Sequence, residues 1–159
     1  LLLKAIFQGT LDSVNVVNAP LVAKERNVDV HESRTDDARA YTNEIRVVLN
    51  LGDSKREISV AGTLFSGQPR IISVNGVTLE AELTPHMVYV RNQDQPGQIG
   101  LIGSKLGESG INISYFHLGR RPATGDAIAL VSVESPINAD LRKKIEDLPH
   151  VDEVRALVF

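Results

Sequence analysis

The sequence has no cysteine, no tryptophan, one methionine and few aromatic residues, which make up 4% of the chain. Without cysteine, neither disulfides nor thiolate metal sites can form, and such a composition is typical of a reducing compartment such as the cytoplasm. No apolar run approaches the roughly 18 residues of a membrane-spanning helix, since Lys4 already interrupts the leucines at 1–3. The sequence therefore predicts a cytoplasmic chain without a membrane partner.

Charge of either sign is not concentrated anywhere. The 17 Lys and Arg residues are scattered among 20 Asp and Glu residues, and the net charge is −3. A nucleic-acid-binding surface needs clustered basic residues, so no nucleic-acid partner is predicted. The four histidines lack the spacing of metal ligands, and no Ser/His/Asp or Cys/His set is recognisable. We therefore expect neither a metal site nor catalytic residues in this chain.

The first part of the chain predicts a small domain that mixes helices and strands. At 159 residues and 42% hydrophobic composition, the chain suits one domain or two small ones. It does not begin with Met, and its first residues have the pattern of the middle of a helix, so we expect a piece of a larger protein. Thr84-Pro85 is the expected domain boundary. Before it we expect helices at 1–9 and 19–26, strands at 28–30, 44–51, 56–65, 70–74 and 77–83, a loop at 32–43, and turns at 52–54, 66–69 and 75–76.

The second part, residues 85–159, has the order strand, helix, strand, strand, helix, strand. This order predicts a ferredoxin-like βαββαβ domain, in which a small antiparallel sheet has two helices on one face. The fold class predicted for the whole chain is therefore α+β. The expected elements of this domain are 87–92, 96–108, 111–119, 126–134, 138–147 and 152–158.

The stretch from Val90 to Ile113 tells most about a possible ligand site. A polar corner at 92–95 precedes Pro96, which suits the first position of a helix. Ile99, Ile102 and Leu106 form an apolar stripe on that helix. Glycines recur at 97, 100, 103 and 107, although each glycine in a helix interior costs about 0.8–1 kcal/mol against alanine. That cost indicates a face where a ligand or another backbone comes close.

Such a corner can bind a free amino acid. The N–H groups of a helix start favour a carboxylate, Asp94 offers a carboxylate for an ammonium, and the amides of Asn92 and Asn112 can donate and accept. The structural alternative is that Asp94 or Gln95 only caps the helix and that Asn112 stabilises a turn. A dinucleotide site followed by Arg120-Arg121 is a further alternative, but the spacing G-x-x-G-x-x-G lacks the tight first turn of G-x-G-x-x-G.

The run from Asn92 to Ile113 resembles the opening of an ACT domain, an amino-acid-sensing module. The segments 116–120, 125–131 and 148–154 resemble the later elements of that module. The resemblance implies an ACT regulatory domain at 85–159 whose effector, L-serine, contacts residues at the matching positions. The positions implied for this effector site are Asn92, Asp94, Pro96, Gly97, Ile99 and Asn112.

Upstream, the segments 16–26 and 60–65 resemble the intervening domain of long-form D-3-phosphoglycerate dehydrogenases. This resemblance implies an intervening domain at 1–84 that can hold phosphate or a phosphorylated hydroxy acid. Arg70 matches a basic position there, with Lys24 and Arg26 as further candidates, whereas Glu82 stands where some members have a second base. Solvated surface charge is the alternative reading of the three basic residues.

For function, the resemblance implies the regulatory C-terminal part of an enzyme of L-serine biosynthesis. The NAD cofactor and the oxidation of D-3-phosphoglycerate would belong to N-terminal catalytic domains, and this chain would hold no cofactor. A homo-oligomer is also implied. Three alternatives stay open: the sensor or assembly module of another amino-acid enzyme, such as serine dehydratase, an ACT domain whose ligand is not serine, and a non-sensing structural role in which these domains only assemble the oligomer.

Overall fold

The computed structural model describes residues 1–9, 11, 13–34, 41–52 and 56–159. They fall into two compact units, Leu1–Ala38 and Arg39–Phe159. The first unit contains helices α1 (Leu2–Gln8) and α2 (Ala19–Glu25). Both helices were expected, and they pack through a small apolar core formed by Phe7, Val14, Ala19 and Ala23.

The strand predicted at 28–30 is wrong. No strand forms there, and the valines at its two ends are 41% and 54% exposed. The chain leaves α2 through Asn27, whose φ of 53° is left-handed. Alternation of apolar and polar residues gives a segment one apolar and one polar face. A strand also needs a neighbouring strand for its backbone hydrogen bonds, and the alternation at 28–30 does not supply one. Within the loop predicted at 32–43, residues 35–40 lie outside the described part, as do Asp53 and Ser54 of the predicted turn.

The second unit begins with an antiparallel meander whose strand order is β1-β2-β3-β4. The two tight turns of this meander, Ser66-Gly67 and Asn75-Gly76, have positive φ at both residues, as two-residue hairpins with a type I′ turn require. The first turn is therefore shorter than the predicted 66–69, and Pro69 lies inside a strand. The strands are β1 (Ile45–Leu51), β2 (Arg56–Phe65), β3 (Gln68–Val74) and β4 (Val77–Glu82).

The remaining elements form the ferredoxin-like arrangement that the sequence predicted, with all strands antiparallel in the order β6-β7-β5-β8. The mixed α+β fold class is confirmed. The elements are β5 (His86–Gln93), α3 (Gln98–Glu108), β6 (Ile113–Arg121), β7 (Asp126–Val133), α4 (Ala139–Glu146) and β8 (Val151–Val158).

Both faces of this second sheet are covered. On one face, Val88 and Val90 of β5 join a core with α3 and α4, whereas Met87 and Tyr89 pack with the meander on the other. The central strands β5 and β7 are therefore continuous apolar runs, as expected for strands buried on two sides. The sequence predicted a strand at 87–92 in a sheet covered by two helices on one face, and the covering of the other face by the meander is an addition. Both sheets lie in one compact unit, and the functional division at residue 84 stays a prediction.

Strand β6 contacts the meander unusually closely at Gly119. A Cβ built on Gly119 would lie 2.5 Å from the carbonyl oxygen of Thr78 and 2.7 Å from Cγ1 of Val77. One turn of the meander is fixed from the same strand, because Arg121 donates to the carbonyl oxygen of Asn75. Among the described glycines, the tightest contact is therefore on β6, whereas a Cβ on Gly100 or Gly107 of α3 would meet no atom outside its own helix within 4 Å.

His117, also on β6, stacks on Tyr115 with ring centres 5.9 Å apart. Burial lowers the pKa of His117 from its ordinary value of 6.5, and the Arg70 guanidinium lowers it further, while a backbone hydrogen bond at Glu80 and the Glu82 carboxylate act the other way. Arg70 and the two glutamates belong to β3 and β4. His117 is thus held neutral where the two sheets meet.

This lowered pKa predicts a pH dependence of stability. The unfolded chain takes up a proton at His117 near pH 6.5, before the folded chain does, so the free energy of unfolding should fall as the pH drops below about 6.5. Urea midpoints followed by circular dichroism at about pH 7.5 and pH 5.5 would measure this fall. His117→Gln should show a smaller fall than the parent; an equal fall would contradict the prediction.

Candidate functional site

The polar corner between β5 and α3 borders a cavity of about 410 Å³. Its walls are the end of β5, the start of α3 and the neighbouring parts of β6 and β7. The cavity therefore lies at a helix N-terminus, where a peptide dipole favours anionic groups. The lining residues are Asn92, Asp94, Gln95, Pro96, Gly97, Gln98, Ile99, Ile102, Phe116, Leu118, Arg120, Ala127 and Ala129.

The start of α3 differs from the prediction. The helix begins at Gln98 instead of Pro96, because Gly97 takes a left-handed φ of 91° at the N-cap and ends the preceding turn. The side chain of neither Asp94 nor Gln95 caps it, since α3 has no side-chain cap hydrogen bond. The capping alternative for these two residues is therefore wrong. The first turn of a helix leaves N–H groups without intrahelical acceptors. Those of Ile99 and Gly100 lie in this turn, and Ile99 lines the cavity.

Backbone hydrogen bonds hold the corner in place from two other loops. The N–H of Asp94 donates to the carbonyl of Gly125 over 2.7 Å, and that of Gln93 to the carbonyl of His150 over 2.9 Å. Because these acceptors lie in the β6–β7 turn and just before β8, the corner is fixed independently of α3. A ligand therefore meets a preformed wall.

Asp94 already has a cationic neighbour. The Nε atom of Arg120 lies 3.3 Å from Oδ1 of Asp94, and the two side chains are 57% and 33% exposed. Partly exposed pairs of this kind contribute about 0–1 kcal/mol, so Arg120 holds Asp94 only weakly. An incoming ammonium can displace the guanidinium at small cost.

The apolar part of the cavity comes from alternate residues of β6 and from α3. Phe116 and Leu118 line the cavity, whereas Gly119, between Leu118 and Arg120, faces the meander. On α3, Ile102 and Leu106 are buried as the predicted stripe requires, but Ile99 is 48% exposed. Ile99 therefore belongs to the rim of the cavity and not to the core.

Of the six effector positions, the structure brings five to this cavity: Asn92, Asp94, Pro96, Gly97 and Ile99. The sixth, Asn112, does not line it within one chain. Its Nδ2 donates to Glu134 over 2.9 Å, and its carbonyl accepts from the N–H of Glu134 over 3.2 Å. Asn112 thus ties the start of β6 to the end of β7, and its approach to an effector from a neighbouring subunit stays a prediction.

Sequence reasoning missed several lining residues, notably Gln98, Phe116, Leu118 and Arg120. The alternation along β6 could have indicated three of them, since one face of that strand carries residues 116, 118 and 120. Gln98 gave a weaker signal: it is a polar side chain in the first turn of α3, and in the structure it is only 6% exposed.

The three basic residues predicted to bind an anion do not border one cavity, as the effector residues do. Arg70 lies opposite Glu82 in the β3–β4 register, with its Nη2 atom 4.0 Å from a carboxylate oxygen, and its guanidinium lies 5.2 Å from the ring centre of Phe65. Lys24 and Arg26 lie in the first unit, at the exposed end of α2. An anion at Arg70 would therefore have to compete with Glu82.

No helix in the described part of the chain is long and apolar enough to cross a membrane. Within the same described ranges, no three His, Asp or Glu side chains stand close enough together to hold a metal ion.

Comparison with known proteins gives one family match and several relatives. Residues 1–75 match the D-3-phosphoglycerate dehydrogenase intervening domain. D-3-phosphoglycerate dehydrogenase of Methanocaldococcus jannaschii is 28% identical over 99% of this chain and 30% of its own length. The Bacillus subtilis enzyme of that name is 32% identical over 97% of the chain and 30% of its own length, and the Synechocystis enzyme is 34% identical over 87% and 25%. The chain spans about a third or less of the length of these curated relatives.

Proposed function

This chain is a region related to the D-3-phosphoglycerate dehydrogenases, and we propose that it is the amino-acid-sensing part of such an enzyme, with L-serine as effector. One observation carries the proposal: Asn92, Asp94 and the first turn of α3 border a single cavity. An α-amino acid needs an anion-binding group and a cation-binding group a few ångströms apart. The helix start supplies the first and Asp94 supplies the second.

The binding mode follows from these groups. The carboxylate of serine accepts from the free N–H groups of Ile99 and Gly100, and its ammonium displaces Arg120 from Asp94. The hydroxyl bonds an asparagine amide, that of Asn92 or that of Asn112 from a neighbouring subunit. Proline at 96 and the left-handed glycine at 97 fix the turn that aims these N–H groups.

The parent activity is part of the proposal. Catalytic domains N-terminal to this region would oxidise D-3-phosphoglycerate with NAD as the first committed step of serine synthesis in the cytoplasm. Serine bound to residues 85–159 would then regulate that step through a coupling free energy between separate sites. The chain alone should show no NAD-dependent oxidation of D-3-phosphoglycerate.

Titrating the chain with each of the twenty amino acids by calorimetry tests the effector. L-serine should bind most tightly. Tighter binding of a larger apolar amino acid would favour the second candidate, a sensor of another ligand, which the apolar wall of Phe116, Leu118, Ala127 and Ala129 favours. Binding of no amino acid would leave an assembly module, for example in an enzyme such as serine dehydratase.

We also expect a homo-oligomer. Strand β6 is an edge of its sheet, and α3 exposes Ile99 and Leu101 together with Gly100 and Gly107. Such a surface suits an isologous contact around a two-fold axis, which would also bring Asn112 of one subunit towards the cavity of another. Light scattering at micromolar concentration should give at least twice the 17.3 kDa of one chain. A single-chain mass with and without serine would contradict this.

For the first domain we propose that Arg70 binds phosphate or a phosphorylated hydroxy acid, with Lys24 and Arg26 as weaker candidates. Arg70→Ala should then abolish phosphate binding measured by calorimetry. Glu82→Gln should strengthen it, because the mutation removes the competing carboxylate opposite Arg70. Unchanged binding in both folded variants would leave Arg70 as a surface ion pair.

A further inference from the structure

Two buried side-chain oxygens at the cavity have no hydrogen-bond partner among the described residues. They are Oδ1 of Asn92 and Oε1 of Gln98. The two residues are 2% and 6% exposed, and both line the cavity. Buried polar atoms in folded proteins nearly always have a partner, and each exception needs an explanation.

The free atoms are acceptors, because the donor half of each amide is already used. Nε2 of Gln98 donates to the carbonyl of Pro149 over 2.8 Å, and Nδ2 of Asn92 donates to the carbonyl of Gln93 over 2.6 Å. Turning either amide over would place its oxygen against a carbonyl oxygen. Two residues of the cavity wall therefore each keep one acceptor oxygen without a partner among the described residues.

The ligand group that matches them must have several N–H bonds. An ammonium has three donors, a hydroxyl has one and a carboxylate has none. Asp94 adds a third acceptor to the same cavity, but Arg120 already occupies it in part. The uncharged amide oxygens are thus the acceptors that no protein cation contests.

We propose that the ammonium group of the effector, besides its contact with Asp94, donates to the amide oxygens of Gln98 and Asn92, and that these contacts restrict the site to amino acids over hydroxy acids. This inference rests on the proposed function, since it names the residue that selects the ligand in the same cavity. Gln98 acts as an acceptor, and its contact with Pro149 only orients it.

Two substitutions separate these roles in calorimetric titrations of the chain with L-serine. Gln98→Met removes both the acceptor and the donor, and should weaken binding roughly 5- to 150-fold, as expected for losing a partner of a charged group. Gln98→Glu keeps the acceptor oxygen, and in its protonated form its O–H still donates to the carbonyl of Pro149 as the amide does, so this variant should bind within about threefold of the parent. Gln68→Met, at an exposed position of β3 that does not line the cavity, is the matched control and should bind within about twofold.

The unmodified chain gives an independent measurement with glycerate, which keeps the carboxylate and hydroxyl of serine but lacks its ammonium. Glycerate should bind at least about tenfold more weakly than serine. If Gln98→Met binds serine like the parent, or if Gln98→Glu is as weak as Gln98→Met, the inference is wrong while the serine site stands. If glycerate equals serine, the inference is wrong and the proposed contact of the ammonium with Asp94 is wrong as well. If the parent chain binds no amino acid, the proposed function fails and this inference fails with it.

Discussion

Gly119→Ala is expected to destabilise the unit of two sheets by about 3 kcal/mol, at the upper end of the 1–3 kcal/mol that overpacking costs. The added methyl group would lie 2.5 Å from the carbonyl oxygen of Thr78 and 3.2 Å from Cβ of Leu79. A carbonyl oxygen in a paired strand cannot rotate away, so β4 or β6 must move as a whole. For a domain of this size such a loss corresponds to roughly 6–12 °C in Tm.

Gly107→Ala is the matched control, since the same methyl group on α3 meets no described atom within 4 Å. There alanine should stabilise the chain by about 0.4–1 kcal/mol, because it restricts the unfolded state and favours the helix. Urea unfolding followed by far-UV circular dichroism measures both variants, as the chain has no tryptophan to report by fluorescence. If Gly119→Ala is as stable as the parent, β6 does not contact β4 as described.

Removing the charge of Asp94 should nearly abolish serine binding. A buried charged group that loses its partner costs about 1–3 kcal/mol, so Asp94→Ala should weaken binding roughly 5- to 150-fold. Arg120→Ala should have the opposite effect and leave binding equal or tighter, because Arg120 competes with the ammonium for the carboxylate of Asp94. The two substitutions should therefore change the affinity for serine in opposite directions, although both residues line the cavity.

Asn112→Ala gives a test of the subunit contribution. If Asn112 reaches the effector from a neighbouring subunit, this variant should lose serine binding while the oligomer persists. In a full-length enzyme the variants at Asp94 and Asn112 should also lose serine inhibition and keep their uninhibited turnover. If the variants at Asp94 and Asn112 both bind serine like the parent, the effector binds elsewhere or is not serine, and the alternative of a module that only assembles the oligomer is favoured.

Periodicity predicted most of the second sheet, because its strands and helices are long and their order allows few topologies. The fine structure at the helix start was less predictable. Proline is acceptable both at the first helical position and in the turn before it, and only the left-handed backbone of Gly97 decided between the two. The helix therefore starts two residues later than the sequence indicated.

Contacts between distant segments decided the rest. The apolar run at 87–90 did not distinguish burial on one face of β5 from burial on both, and the order of elements could not show that a second sheet covers the face opposite the helices. The pairing of Asp94 with Arg120 depends on two residues that only the folded sheet brings together. Gln98 was missed because a polar side chain near a helix start is usually exposed, and its burial depends on the loop that carries Pro149.

The order of the strands in the two sheets also determines when each can form as the chain leaves the ribosome. Every pair in the meander joins neighbours in sequence, so that sheet can assemble by short loop closures as soon as β4 has emerged. Strand β5 lies at the centre of the second sheet, yet its partners β7 and β8 are synthesised last. Pairings of large sequence separation form slowly. The apolar residues of β5 therefore stay without their strand partners until nearly all of residues 94–158 have been synthesised, and during that time the folded meander is the sheet beside them.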